Sequence, residues 1–167
     1  MKPIVSTIAA LAVLSLPASA VAQDQACLSS AENRAVMANL MPALVEQAAK
    51  RCAPVLDGNA YLTRNSAAIA ARQKPYADKS WPAAKPAFQR LVKMKLPDNE
   101  TVLEFGRQTI ASTVARELTA DQCGVLSRLM QELAPLPPEN FAHVVALFVE
   151  AGSAQVPNAP IRVCEKP

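Results

Sequence analysis

The sequence has little glycine, histidine or charge, and each shortage excludes a class of protein. It contains only four glycines in 167 residues, too few for a collagen-like repeat or for a sheet of many hairpins, and too scattered for glycine-rich nucleotide loops. His143 is the single histidine, which argues against a zinc site or a catalytic triad. Charged residues make up 19% of the chain and hydrophobic ones 51%, so the composition is typical of a folded protein rather than a disordered one.

No catalytic motif is present in the sequence. It lacks the G-x-S-x-G turn of serine hydrolases. Glu100 and Glu104 share one face of a predicted helix, but two carboxylates near a helix N-terminus are far more often solvated charges than an acid and a base. We therefore predict no catalytic residue, no metal and no cofactor.

The first 22 residues have the three-part pattern of a secretory signal peptide. Lys2 provides a positive start, residues 4–16 form an apolar run, and Ala20 and Ala22 are small residues suited to cleavage. The apolar run is shorter than the ~20 residues that span a bilayer. We predict cleavage after Ala22, with Ala20 as the second choice. The mature chain, 23–167, would then be exported to a bacterial periplasm or to the exterior, without a transmembrane segment.

All four cysteines lie in this mature chain, and an even number in an exported protein is typical of two disulfides. A helix predicted over 29–51 would separate Cys27 and Cys52 by roughly 37 Å, whereas a disulfide needs Cα atoms about 4.4–6.8 Å apart. This disfavours a Cys27–Cys52 bond and predicts cross-links from these two cysteines to Cys123 and Cys164. If successive helices alternate in direction, the pairs are Cys27–Cys123 and Cys52–Cys164.

Helical spacing of apolar residues predicts an all-α single domain, an irregular bundle of five or six helices. Capping boxes mark two helix starts, at Ser29 with Glu32 and at Thr119 with Gln122. Pro42 lies inside the first helix and should kink it. The predicted helices cover 29–51, 59–73, 86–94, 97–118, 119–133 and 138–152.

Prolines predict where the helices stop. Pro75 should end the second helix and leave 75–86 irregular. The last two helices, separated by a proline-rich bend, read as an αα-hairpin, with the apolar face of the last one formed by Phe141, Val144, Val145 and Phe148. Residues 153–167 should be an extended tail fixed by Cys164.

Basic and aromatic residues are concentrated in residues 64–95, which we call the basic segment. It has one acid, Asp78, and the chain's only tryptophan, Trp81. Cations beside amphipathic rings are suited to an anionic partner at an apolar boundary. The alternative is a solvated face, or bases that neutralise acidic helices of the same chain. The bases are Arg64, Arg72, Lys74, Lys79, Lys85, Arg90, Lys93 and Lys95.

Three functions compete on this basis. The first is a non-catalytic, exported interaction module whose basic segment contacts an anionic lipid, a cell-envelope polymer or an acidic protein, with no nucleic acid expected. The second is a carrier of a small apolar ligand or lipid, because methionines at helical spacing can line an adaptable pocket. These methionines are Met37, Met41, Met94 and Met130. The third is a hydrolase with no recognisable motif.

Overall fold

The structure, a computed structural model, describes residues 27–93, 95–97, 99–153, 155 and 162–164. These residues form five α-helices, which confirms the all-α prediction. The predicted signal peptide, 1–22, and most of the predicted tail lie outside the described residues. The helices are α1 (Ser30–Cys52), α2 (Tyr61–Val92), α3 (Glu100–Arg116), α4 (Ala120–Leu133) and α5 (Pro138–Ser153).

Both predicted capping boxes are present. At the start of α1, the hydroxyl of Ser29 accepts from the backbone N–H of Glu32 (3.3 Å), and the Glu32 carboxylate accepts from the N–H of Ser29 (2.9 Å). Thr119 and Gln122 make the same reciprocal pair at the start of α4. Each box satisfies backbone donors that a helix N-terminus leaves unpaired. α1 then continues through Pro42 without interruption, and a kink there stays a prediction.

α2 is one helix of 32 residues, so the predicted break at Pro75 and the irregular segment 75–86 are wrong. The predicted second and third helices are two parts of α2, which passes through Pro75, Pro82 and Pro86. A proline inside a helix frees the carbonyl four residues earlier and normally costs about 3 kcal/mol or more. In α2 all three prolines are exposed, and so are the residues that carry two of the freed carbonyls, Ala71 and Asp78.

The exposed position of these prolines explains why α2 stays helical at all three of them. Water on the outer face can replace the lost hydrogen bonds, while the opposite face packs without interruption. That opposite face buries Leu62, Ile69, Gln73, Ala77, Ala84 and Phe88. α2 ends at Lys93, which adopts the left-handed conformation (φ 52°) that commonly closes a helix.

α1 is the central helix and contacts each of the other four. α2 runs antiparallel to it: Arg90 near the end of α2 pairs with Glu32 in the first turn of α1 (2.7 Å). Further along, the buried amide of Asn39 donates to the carbonyl oxygen of Ala77 (3.0 Å). α3 packs mainly against α1.

α5 also runs antiparallel to α1. Asn33 donates to the carbonyl oxygen of Ala146 (2.8 Å), and Ser30 donates to the carboxylate of Glu150 (3.0 Å). The predicted apolar face of this helix is only partly correct: Phe141 is fully buried, whereas Phe148 is exposed. Two alanines take the buried positions instead, because small side chains let α5 approach α1 closely; they are Ala142 and Ala146.

The two last helices do not pack as the predicted αα-hairpin. A short turn at 134–137 joins them, as expected, but each packs mainly against α1 and α2 rather than along the other. α4 packs mainly on α2 and α5 mainly on α1, so the two helices cover different surfaces of the long pair.

The disulfides are Cys27–Cys164 and Cys52–Cys123. They join the two halves of the chain, as expected, but the predicted pairs Cys27–Cys123 and Cys52–Cys164 are wrong. Because α2 is one helix rather than two, the chain reverses once less, and Cys123 arrives at the same end of the bundle as Cys52. Cys164 reaches Cys27 through a short bridge at Leu28, whose N–H and carbonyl pair with Arg162 and Cys164 (both 2.8 Å).

Candidate functional site

The bases of the basic segment contact different neighbouring elements. Arg90 forms an ion pair with Glu32 of α1 (2.7 Å). Arg72 donates to the carbonyl oxygen of Ala134, directly after α4. These two bases therefore hold α2 against α1 and α4. The backbone N–H of Ser29 is the main cause that lowers the pKa of Glu32, and Arg90 lowers it further.

A third base is directed towards α3. The amino group of Lys74 pairs with Asp78 on its own helix (3.2 Å) and lies 4.0 Å from Glu100 at the start of α3. Lys85 is half-buried. The other four bases are exposed, and the described part of the chain shows no ion pair for them: Arg64, Lys79, Lys93 and Lys95. The contacts of the segment thus face several neighbours and do not converge on one point.

The Trp81 side chain of α2 is half-buried against α3 and is not fully exposed to solvent. Its ring centroid lies 6.0 Å from that of Phe88 and 5.9 Å from the guanidinium carbon of Arg107. That guanidinium group, with only 10% of its side chain exposed, is also 3.3 Å from Glu104 and donates to the amide oxygen of Asn39 (3.0 Å).

This Arg107 cluster did not follow from the sequence. Arg107, Ala111 and Ala115 repeat every four residues and form the buried face of α3, a spacing that would have placed the arginine inward. The short side chains of Ala111 and Ala115 leave room for the side chain of Arg107. The cluster fixes α3 to α1 and α2 through polar contacts.

An apolar groove of about 440 Å³ lies on the other side of the contact between α3 and α1, between α3 and α5. Its floor is one face of α1, formed by Met37, Leu40, Met41, Leu44, Val45 and Ala48. Its walls and ends are formed by Val114, Ala115, Leu118, Val145, Val149, Gly152, Ser153, Leu62, Leu126 and Met130. The groove exists because α3 and α5 both pack on α1 without packing substantially on each other.

The chemistry of the groove is almost entirely that of carbon and sulfur. Ser153 carries the one polar side chain in the lining. Its hydroxyl already donates to the carbonyl oxygen of Glu150 (2.9 Å) and accepts from the N–H of Val163 (3.4 Å). No charged side chain lines the groove, so it offers nothing to an ion and favours an apolar group.

The groove meets solvent at Val114 on α3, which lines the groove and is 44% exposed. Phe148 on α5 is also exposed but does not line the groove. The entrance at Val114 is therefore apolar.

A second, larger cavity of about 810 Å³ lies between α1, α2 and α3 and is lined by charged as well as apolar side chains. Its carboxylates are used within the chain: Glu104 accepts from Arg107 (3.3 Å) and Gln108 (2.8 Å), and Asp78 pairs with Lys74. Among the described residues, no group of three or more acidic, histidine or cysteine side chains is placed to hold a metal.

The remaining polar candidates from the sequence are not assembled into a reactive group. Glu100 and Glu104 are both exposed; the first lies near Lys74 and the second is bonded to Arg107. His143 is half-buried on α5. All four cysteines are in disulfides.

Two further findings bear on the function. In the part of the chain that the structure describes, none of the helices has the length and apolar character needed to cross a bilayer. Comparison with protein-family models, with curated proteins and with solved structures finds no match.

Proposed function

We propose that this protein is an exported carrier that binds a small apolar ligand, such as a lipid chain, in the groove on α1. The observation that carries the proposal is the groove itself. Its volume of about 440 Å³ falls in the range of ~300–1,000 Å³ typical of small-molecule sites. Its lining is apolar apart from one serine that is already hydrogen-bonded.

The methionines support the same function. Met37, Met41 and Met130 line the groove, and Met94 lies outside the described residues. Unbranched thioether side chains fill irregular gaps and adapt to different apolar shapes. Buried apolar area contributes about 25 cal/mol per Å², so a ligand that covers this lining gains affinity without any polar contact.

The groove supports a carrier function more strongly than the basic segment supports contact with an anionic partner. Three of the bases are engaged with neighbouring residues, and Trp81 packs against Phe88 and Arg107. Contact with an anionic lipid, a cell-envelope polymer or an acidic protein through the exposed bases stays a prediction, with its test below. Export through the predicted signal peptide is part of the proposal, and two disulfides are typical of proteins from oxidising compartments.

Binding of a fluorescent apolar probe tests the proposal. The oxidised mature chain is titrated with N-phenyl-1-naphthylamine, and native mass spectrometry follows any lipid that copurifies. Val114→Glu, which places a charge at the entrance, should weaken probe binding at least tenfold, because an unpaired charge beside an apolar ligand is costly.

Val102→Glu is the matched control, since Val102 lies on the same helix, has 45% exposure against 44% for Val114, and does not line the groove. It should bind the probe as the wild type does. Absence of probe binding to the wild type, or equal weakening in both variants, would show that the groove is not the binding site.

A further inference from the structure

The length of the groove is set by the face of α1 that forms its floor. The lining residues run from Met37 to Ala48, which corresponds to about 16 Å of helix at ~1.5 Å per residue. An extended alkyl chain of about a dozen carbons has that length. A longer chain would have to bend or leave the groove at one end.

Both ends of the groove are occupied by side chains or backbone that other contacts hold in place. At the Ala48 end lies Leu62, which is fully buried and whose N–H donates to Ser127 (3.1 Å). At the Met37 end lies Ser153, which accepts from the N–H of Val163 (3.4 Å). The Cys27–Cys164 disulfide fixes the segment that contains Val163. The groove is therefore bounded along its axis.

The width of the groove points to a single chain. Its floor is one face of one helix, α1, and α3 and α5 flank that face. Its volume of about 440 Å³ lies in the lower part of the ~300–1,000 Å³ range of small-molecule sites, which fits one alkyl chain better than the two acyl chains of a phospholipid.

We propose that the groove selects a single-chain amphiphile by length, with an optimum near a dozen carbons and with the polar head at the solvent-facing opening. The inference rests on the proposed function, because it names the class of ligand for the same groove. The head has to stay outside, since the one polar side chain in the lining, Ser153, already has its donor and acceptor partners.

Gly152 provides a direct test of the length limit. It lines the Met37 end of the groove, and a Cβ built there meets no other atom within 4 Å, so a larger side chain has room to enter. Gly152→Leu should therefore shorten the groove without a clash. Gly124→Leu is the matched control, because its Cβ also meets open space and Gly124, on α4, does not line the groove.

The experiment measures how straight-chain alkanoates of about 8 to about 18 carbons displace N-phenyl-1-naphthylamine from the oxidised mature chain. Below the optimum, each added methylene should tighten binding about fourfold, and beyond about a dozen carbons the gain should stop. Gly152→Leu should move this optimum to chains shorter by about two to four carbons, and Gly124→Leu should leave it unchanged.

The outcomes separate this inference from the proposed function. Affinity that rises steadily to the longest chain, tight binding of a diacyl phospholipid, or the same optimum in Gly152→Leu and wild type would each overturn the length limit while the carrier function stands. If the wild type binds neither the probe nor any alkanoate, the proposed function itself is wrong.

Discussion

Replacing Arg107 by methionine should lower the free energy of unfolding by about 1.5–4 kcal/mol. Methionine keeps an unbranched side chain on the buried face of α3 but removes the guanidinium group. The buried amide oxygen of Asn39 then loses its donor (3.0 Å), and leaving a buried polar atom unpaired costs about 1–3 kcal/mol. Loss of the contact with the ring of Trp81 (5.9 Å) adds about 0.5–1 kcal/mol.

The ion pairs of Arg107 contribute less to this sum. Its partners Glu104 and Asp78 are 48% and 50% exposed, so water solvates both carboxylates when the arginine is gone, and such pairs are worth about 0–1 kcal/mol. Glu104→Gln, which removes one pair and leaves the Asn39 contact intact, should therefore cost less than about 1 kcal/mol.

Urea denaturation and thermal unfolding of the oxidised mature chain, both followed by circular dichroism, measure the two variants. At about 2–4 °C per kcal/mol for a chain of this size, the melting temperature of Arg107→Met should fall by about 3–16 °C, with little change for Glu104→Gln. A loss below about 1 kcal/mol in Arg107→Met would refute the assignment of the cost to Asn39. An equal loss in Glu104→Gln would show that the exposed ion pairs dominate.

Three further predictions concern the disulfides, Glu32 and the basic segment. Peptide mapping without reduction should recover two linked peptides, Cys27–Cys164 and Cys52–Cys123; any other pair contradicts the fold, and removing either bond should cost about 2–5 kcal/mol of stability. The lowered pKa of Glu32 means that its carboxylate stabilises the fold above its ordinary pKa of 4.5 and that this contribution is lost as the pH falls through the lowered value. Glu32→Gln should thus be less stable than wild type at neutral pH and nearly equal to it in acid, and a deficit of the same size at both pH values would contradict this. Finally, binding to anionic vesicles, if it occurs, should weaken with salt and fall when four bases are replaced by glutamine, namely Lys85, Arg90, Lys93 and Lys95, whereas Trp81→Ala should weaken it with less salt dependence; equal binding by the quadruple variant and wild type would show that the basic segment is only a solvated face.

The helices could be predicted from the sequence wherever their signals were local. The capping boxes at Ser29 and Thr119 depend on residues three positions apart, which lie together in any helix start. The all-α class followed from helical spacing of apolar residues. The rejection of a Cys27–Cys52 bond needed only the rise of one helix.

The break at Pro75 was wrong because the cost of a proline depends on which side of the helix faces water. Pro75, Pro82 and Pro86 are spaced so that they fall on one face, but only the packed structure shows that this face is exposed. The error propagated to the disulfides, since one helix in place of two reverses the end of the bundle at which Cys123 lies.

The place of the apolar groove and the identity of the buried polar groups depend on the tertiary structure. The methionines indicated an apolar pocket, but Met37 and Met41 lie on α1 and Met130 on α4, and only the packing of these helices brings all three into one groove. The partners of Arg107 come from α1, α2 and α3 and are far apart in the chain. Local propensities describe neighbours along the chain, whereas a cavity and a buried polar cluster depend on how separate helices pack. The groove and the Arg107 cluster therefore could not be predicted from the sequence.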